Sequence, residues 1–271
     1  MLMWEGREFY MEFELNKNMS TADFVTRVEN RLEKDKAYKL FVKAESLRIN
    51  KEFKLSITEY LKSIFIDRNN PKTLLGLALS YKNTQNFEKA LKYLEKAKSL
   101  CGNDFEIFYN LGITNLVLNN PEEAVENLRQ AILLDKKNLN AQIQLAIAHE
   151  FMQEEDMALA IYQKIIEENP SFLIAYNHKV ALLMNLELYS DAASLFRTIL
   201  KINPDFYRAY LGIALCFDKL KRPQDALRYY KKYVSLKPNA INSKRVLRRI
   251  NEIKENNYTS RQNMPEYLSL I

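Results

Sequence analysis

The chain has 271 residues, 47% of them hydrophobic, and carries 40 Lys and Arg against 34 Asp and Glu for a formal net charge of +6. It is long enough for a large core, and its scarcity of Gly (5) and Pro (7) suits an all-helical protein. No run approaches the roughly 20 apolar residues of a membrane span, so a spanning segment is not expected. The opening MLMWEGREFYMEFELN has no basic head before an apolar stretch, so a secretory signal is not expected either.

Residues 1–19 form an N-terminal arm that interleaves Trp4, Phe9, Tyr10 and Phe13 with Glu5, Glu8, Glu12 and Glu14. Its order is left open. A helix is expected over residues 20–36, with Ser20 before it and Asp23 three residues on as a weak capping box. Phe24, Val28 and Leu32 give it an apolar stripe, which is expected to cover the exposed face of the next segment.

Residues 37 to 240 are one pattern written six times at a period of 34 residues: 37–70, 71–104, 105–138, 139–172, 173–206 and 207–240. The clearest copy is FEIFYNLGITNLVLNNPEEAVENLRQAILLDK, from Phe105 to Lys136. Its first half spaces Phe108, Leu111, Gly112 and Asn115 as one helical stripe, and its second half does the same with Ala124, Leu128, Ala131 and Leu134. Asn119 and Asn120 tolerate turn conformations, and Pro121 suits the start of the second helix. At the eighth place stand Ala44, Ala78, Gly112, Ala146, Val180 and Ala214; at the twentieth, Ser56, Ala90, Ala124, Ala158, Ala192 and Ala226. Four places later come Tyr60, Leu94, Leu128, Tyr162, Phe196 and Tyr230. Small residues let two helices approach, and bulky ones fill the gaps beside them. Pro170, Pro204 and Pro238 close the last three copies. The hinges are too short to be domain linkers, so one cooperative body is expected. Residues 241–256 read as a capping helix, with Ile241, Val246, Leu247, Ile250 and Ile253 inward and basic residues outward. Residues 257–271 lack helical periodicity and read as a mobile tail, whose apolar end could occupy the array's own groove or a partner.

A 34-residue helical-hairpin period of this form resembles the tetratricopeptide repeat (TPR) family. The resemblance covers Ala37 to Ala240 and implies an all-α, right-handed superhelical solenoid of stacked hairpins. Some positions depart from the family pattern. Lys43 and Lys179 stand at the usually apolar seventh place, and Arg68, Gly102 and Lys136 replace the closing Pro. Looser packing is expected at the first repeat.

No catalytic constellation is present in the sequence. His149 and His178 have no ligand partner at helical spacing, since Gln153 and Leu182 follow them. Cys101 and Cys216 make no Cys-x-x-Cys pair, fall in different repeats, and read as buried thiols in a reducing cytoplasm. There is no glycine-rich phosphate loop and no nucleophile elbow. No enzyme activity, metal or cofactor is expected.

Within each first helix, places four, seven, eight and eleven point into the hairpin. Places two, five, six, nine, twelve and thirteen turn the other way, at about 100° per residue. The resemblance makes that side a concave groove. Its candidate contacts are Tyr109, Ile113, Leu116, Val117, Ile143, Ile147 and Phe151, with Asn110, Gln144, Asn177 and His178 orienting a bound backbone. Part of this face must also pack neighbouring first helices together. The chaperone-tail-binding members of the family use a Lys and Asn carboxylate clamp. Here places five and nine carry Phe41, Leu75, Tyr109, Ile143, Asn177, Leu211 and Glu45, Leu79, Ile113, Ile147, Ala181, Leu215, so that clamp is not expected. The expectation is a non-catalytic scaffold or adaptor that binds a peptide or amphipathic segment. The alternative is nucleic acid or another anionic surface bound through the basic C-terminal third, by Lys231, Lys232, Lys244, Arg245, Arg248 and Arg249. Charge is indeed uneven: residues 105–172 hold four basic and eleven acidic side chains, residues 207–271 fourteen and five. Self-association of the basic end with an acidic middle is a third reading.

Overall fold

The computed structural model describes residues 21–262. Among them are thirteen α-helices and no strand: α1 (Thr21–Ile49), α2 (Phe53–Ile66), α3 (Pro71–Asn83), α4 (Phe87–Leu100), α5 (Phe105–Val117), α6 (Pro121–Leu134), α7 (Leu139–Phe151), α8 (Glu155–Glu168), α9 (Leu173–Asn185), α10 (Tyr189–Ile202), α11 (Tyr207–Lys219), α12 (Pro223–Leu236) and α13 (Ser243–Gln262). The helices divide into two compact units, the first ending at Met152 and the second beginning at Gln153. The sequence leads one to expect a single body. A solenoid holds together only through neighbours, so it has no single core that would forbid a division, here at the turn inside the fourth repeat.

Local chemistry sets the helix starts. The side chains of Asn70, Asp104 and Asn138 accept from the backbone N–H of Thr73, Ile107 and Ala141 at 3.1–3.2 Å, which satisfies first-turn donors. Pro71, Pro121 and Pro223 sit at the first helical position, where their missing N–H is not needed.

The turn inside each hairpin has one geometry. Lys51, Gln85, Asn119, Gln153, Glu187 and Lys221 all have φ between 56° and 64°, and they recur every 34 residues at place fifteen. Around Asn119 the bonds are those of a Schellman cap: Asn119 N–H to Leu116 C=O at 3.1 Å and Asn120 N–H to Asn115 C=O at 2.9 Å. Gln85 and Asn86 repeat it onto Lys82 and Tyr81, as do Lys221 and Arg222 onto Asp218 and Phe217. Only Asn119 among the six is a residue at ease in that conformation.

The repeated small and bulky places form the core. Ala44, Ala78, Ala146 and Ala214 are fully buried, as are Ser56, Ala90, Ala124, Ala158, Ala192 and Ala226. So are Tyr60, Leu94, Leu128 and Tyr162 above them, with Phe196 and Tyr230 nearly so. Departures from the pattern are absorbed by hydrogen bonds. In the first repeat Ser56 Oγ donates to Ser80 Oγ at 2.9 Å and Ser63 Oγ to the Ala37 carbonyl at 2.8 Å, while Tyr60 OH donates to the Glu45 carboxylate. Lys43 leaves the core and pairs with Glu59 at 3.4 Å. In the second unit Tyr176 and Tyr210 donate to the carbonyls of Pro170 and Pro204 at 3.0 and 3.1 Å, which ties each hairpin to the proline before it.

Both ends of the array differ from expectation. The helix expected over residues 20–36 and the first helix of the first repeat are one element, α1, with no break at Ala37. Residues 29–36 are exposed, Leu32 at 56%, and Ala37 is the first described side chain of this helix to be buried. Of the apolar stripe expected to cover the first repeat, Val28 is half-buried and Leu32 is open. At the other end α13 begins at Ser243 and runs to Gln262, six residues past the expected stop at 256. Ile241 lies before the helix and is 99% exposed, so it does not pack inward, whereas Val246, Ile250 and Ile253 are buried. The arm at 1–19 and the tail beyond Gln262 lie outside the described residues.

Two substitutions probe the turn and the core. Gln85→Gly relieves a left-handed non-glycine residue and is expected to raise stability by up to about 1 kcal/mol, after the extra freedom glycine has in the unfolded chain. Ala124→Leu overpacks the α5–α6 hairpin and is expected to cost about 1–3 kcal/mol. Thermal melts of the two variants beside the parent check both signs.

Candidate functional site

In the first unit the first helices of successive repeats, α1, α3, α5 and α7, each contact the next. They present the face on which nine of the groove residues are expected. The structure sorts these nine by burial. Leu116 and Ile143 are 7% and 3% exposed and belong to the packing between helices. They cannot anchor a ligand. Tyr109 and Ile147 are half-buried against the cluster of Leu116, Ala124, Leu128 and Ala148. Tyr109 stacks on Phe105 with ring centres 5.4 Å apart, and burial raises its phenol above the usual value. Ile113 and Gln144 are half-buried. Val117 and Phe151, the last residues of α5 and α7, are 52% and 53% exposed. Those two are the most open apolar side chains among the nine.

Asn110 departs from its expected role. Instead of orienting a bound backbone, it is buried. Its amide nitrogen donates to the Glu106 carbonyl at 2.7 Å, and its oxygen accepts from Lys82 Nζ. Burial lowers the Lys82 pKa, and its hydrogen bond to the Asn110 amide oxygen links α3 to α5. Sequence reasoning misses Lys82. It stands at place twelve, on the correct face, but only the neighbouring repeat shows what holds it.

Asn177 and His178 belong to the second unit, so the expected constellation is not one described site. Asn177 is exposed on α9. The His178 ring stacks on Tyr162 at 5.8 Å and 18°, which makes it a packing residue. Beside it Lys179 Nζ donates to Gln163 Oε1 at 2.5 Å, and burial lowers its pKa.

The basic set also divides. Lys231 and Lys232 line one cleft with Tyr210, Arg228, Tyr229 and Ser235. Arg245, Arg248 and Arg249 line another, between α11 and α13, with Leu211, Leu215, Lys219 and Asn242. Lys244 is exposed and lines neither. Tyr230 and Tyr233 are core side chains and Tyr229 is half-buried. Arg249 is not a free surface cation. Its Nε and Nη2 donate to the two Asp218 oxygens at 2.9 and 3.1 Å, and its Nη1 to Glu252 at 3.0 Å. Tyr230 OH donates to the same Asp218 carboxylate at 2.7 Å. These bonds raise the Arg249 pKa still further, and burial with Asp218 raises that of Tyr230. The group pins α13 onto α11 and α12.

Among the described residues no three His, Cys, Asp or Glu converge as a metal site, and no helix is long and apolar enough to cross a membrane. Cys101 and Cys216 are free thiols. Burial pushes the Cys216 thiol up to about 11, which leaves it protonated and unreactive at neutral pH.

Residues 71–104, 105–138, 140–171 and 180–241 match family profiles described as Tetratricopeptide repeat. The chain belongs to the tetratricopeptide repeat family. A relative by sequence is human Protein O-mannosyl-transferase TMTC3, 27% identical over 196 residues, a match that covers 66% of this chain. The chain spans only about a fifth of that protein, 21% of its length. Among solved structures, the C-terminal part of a TPR repeat-containing protein from Cytophaga hutchinsonii aligns at a TM-score of 0.72 and 20% identity. That alignment covers 82% of this chain and 89% of the other. YrrB, described as a TPR protein with an unusual peptide-binding site, aligns at 0.53 and 18% identity over 70% and 97%. These likenesses establish the stacked helical hairpins of a TPR fold.

Arg249→Ala removes three bonds at a half-exposed position. It is expected to cost about 1–2 kcal/mol, reduced from a buried pair by solvent screening. Lys231→Ala, which breaks none of these bonds, is expected to leave the melting temperature unchanged. Paired thermal melts distinguish the two.

Proposed function

We propose that this TPR protein is a non-catalytic interaction scaffold and that the first-helix face of its first unit holds an apolar protein segment. The observation that carries the reading is the exposure of Val117 and Phe151 at the ends of α5 and α7, beside half-buried Tyr109, Ile113 and Ile147. Apolar side chains left open on adjoining helices favour an amphipathic helix or extended hydrophobic segment, which replaces water on that face. The ammonium of Lys82, fixed by Asn110, adds one oriented donor for a carbonyl or carboxylate of the bound chain. The family's general role in protein binding supports the reading, as does the peptide-binding site named for YrrB.

Burial of each open Val or Phe side chain is worth about 1.5–3 kcal/mol, from which the ordering of a flexible segment must be subtracted. Val117→Ser combined with Phe151→Ser is therefore expected to weaken partner binding by at least about tenfold, with little change in melting temperature. Affinity purification with the full chain identifies the partner, and titration of that partner against the two forms measures the effect. Equal affinity would place the binding surface elsewhere.

A further inference from the structure

The cleft between α11 and α13 has a composition that the scaffold reading leaves unused. Its volume is about 600 Å³, inside the roughly 300–1,000 Å³ of ordinary ligand sites. One wall is apolar: Leu211 and Leu215 from α11, the latter 41% exposed, with Val246 of α13. The rim is cationic: Lys219 ends α11, and Arg245 and Arg248 lie one turn apart on α13. All three are exposed, and among the described residues none of them has a carboxylate partner. Arg249 is different, because Asp218 and Glu252 already neutralise it. Val246 is buried while Leu215 stays open, and three cations remain to face whatever enters.

We propose that this cleft is a second binding site, separate from the first-unit face, that takes an acidic protein segment with a branched apolar side chain beside its carboxylates. Three observations select that chemistry. Two guanidinium forks at helical spacing suit carboxylates, which accept them in pairs. Leu211 and Leu215 give no recognition to a bare inorganic anion but do to a leucine-like side chain. Nucleic acid fits poorly, because the one ring lining the cleft, Tyr230, is buried and its hydroxyl is committed to Asp218, which leaves no open aromatic platform for a base.

The test uses the full chain and fluorescence anisotropy. The probe is a labelled, end-capped peptide built from glutamate and leucine. Three companions accompany it: a glutamine–leucine peptide, a glutamate–serine peptide and a labelled oligothymidylate. The expected result is saturable binding of the glutamate–leucine peptide. Arg245→Glu with Arg248→Glu should lower its affinity by about tenfold or more, the loss of two charge-assisted contacts. Leu215→Ser should lower it several-fold, and both companion peptides should bind more weakly. Lys231→Glu with Lys232→Glu, in the other cleft, and Val117→Ser with Phe151→Ser, in the first unit, should leave it unchanged. All substituted positions are exposed, and unchanged thermal melts confirm that each variant is folded. The proposal is overturned by absence of saturable binding, by indifference to the arginine reversals, or by equal loss in the Lys231 and Lys232 variant, which would mean general charge attraction. Tight oligothymidylate binding that depends on the arginines and not on Leu215 would overturn it in favour of a nucleic-acid surface.

Discussion

The structure rests on one steric fit, between the bulky residue in the middle of each second helix and the small residues that face it. Leu128 lies so close to Gly112 of its own hairpin that a Cβ there would meet its branch carbons. Tyr60 and Phe196 press in the same way on Gly76 and Gly212, each in the next hairpin. Within a unit such a knob meets the first helix of its own repeat, as Leu128 does, or that of the succeeding one, as Tyr60 and Phe196 do. Because interiors are packed like crystals, this fit sets how far apart the helices stand within each unit. The turns, the caps and the open faces are positioned by that spacing.

The same fit explains why the ligand-facing side is narrower than helical geometry alone implies. Place six counts as outward by helical geometry, yet Gly76 and Gly212 occupy it directly beneath a knob of the previous repeat. Asn110, also at place six, is buried and spends its amide on Lys82 and Glu106. Open surface survives at the carboxyl ends of α5 and α7, at Val117 and Phe151. Binding capacity in such an array is what packing leaves over.

Capping obeys a related logic. A solenoid must end, and its last repeat exposes a face that another repeat would have covered. Here α13 covers it with Val246, Ile250 and Ile253, and the Arg249–Asp218–Tyr230 group fixes the docking. That a cap would be rich in Arg is visible from composition. Which Arg is structural and which is free depends on Asp218, thirty-one residues earlier, and only the folded chain brings the two together.

The sequence by itself determined the repeat: its period, the two helices per copy, the turn between them, and the buried identity of places eight, twenty and twenty-four. These are local properties, set by helical periodicity, by the proline and asparagine of the turns and by side-chain size, and six copies average away the departures of any one. The left-handed residue at place fifteen was legible only at Asn119, since Lys51, Gln85, Gln153, Glu187 and Lys221 carry no conformational signature and are forced there by the closing of the cap. The tertiary structure alone decided the unbroken length of α1, the division at Met152, the engagement of Asn110, His178 and Arg249, and the separation of the basic residues into two clefts. Each of those depends on contacts between residues distant in sequence, where a side chain's partner, not its type, settles whether it is free to bind.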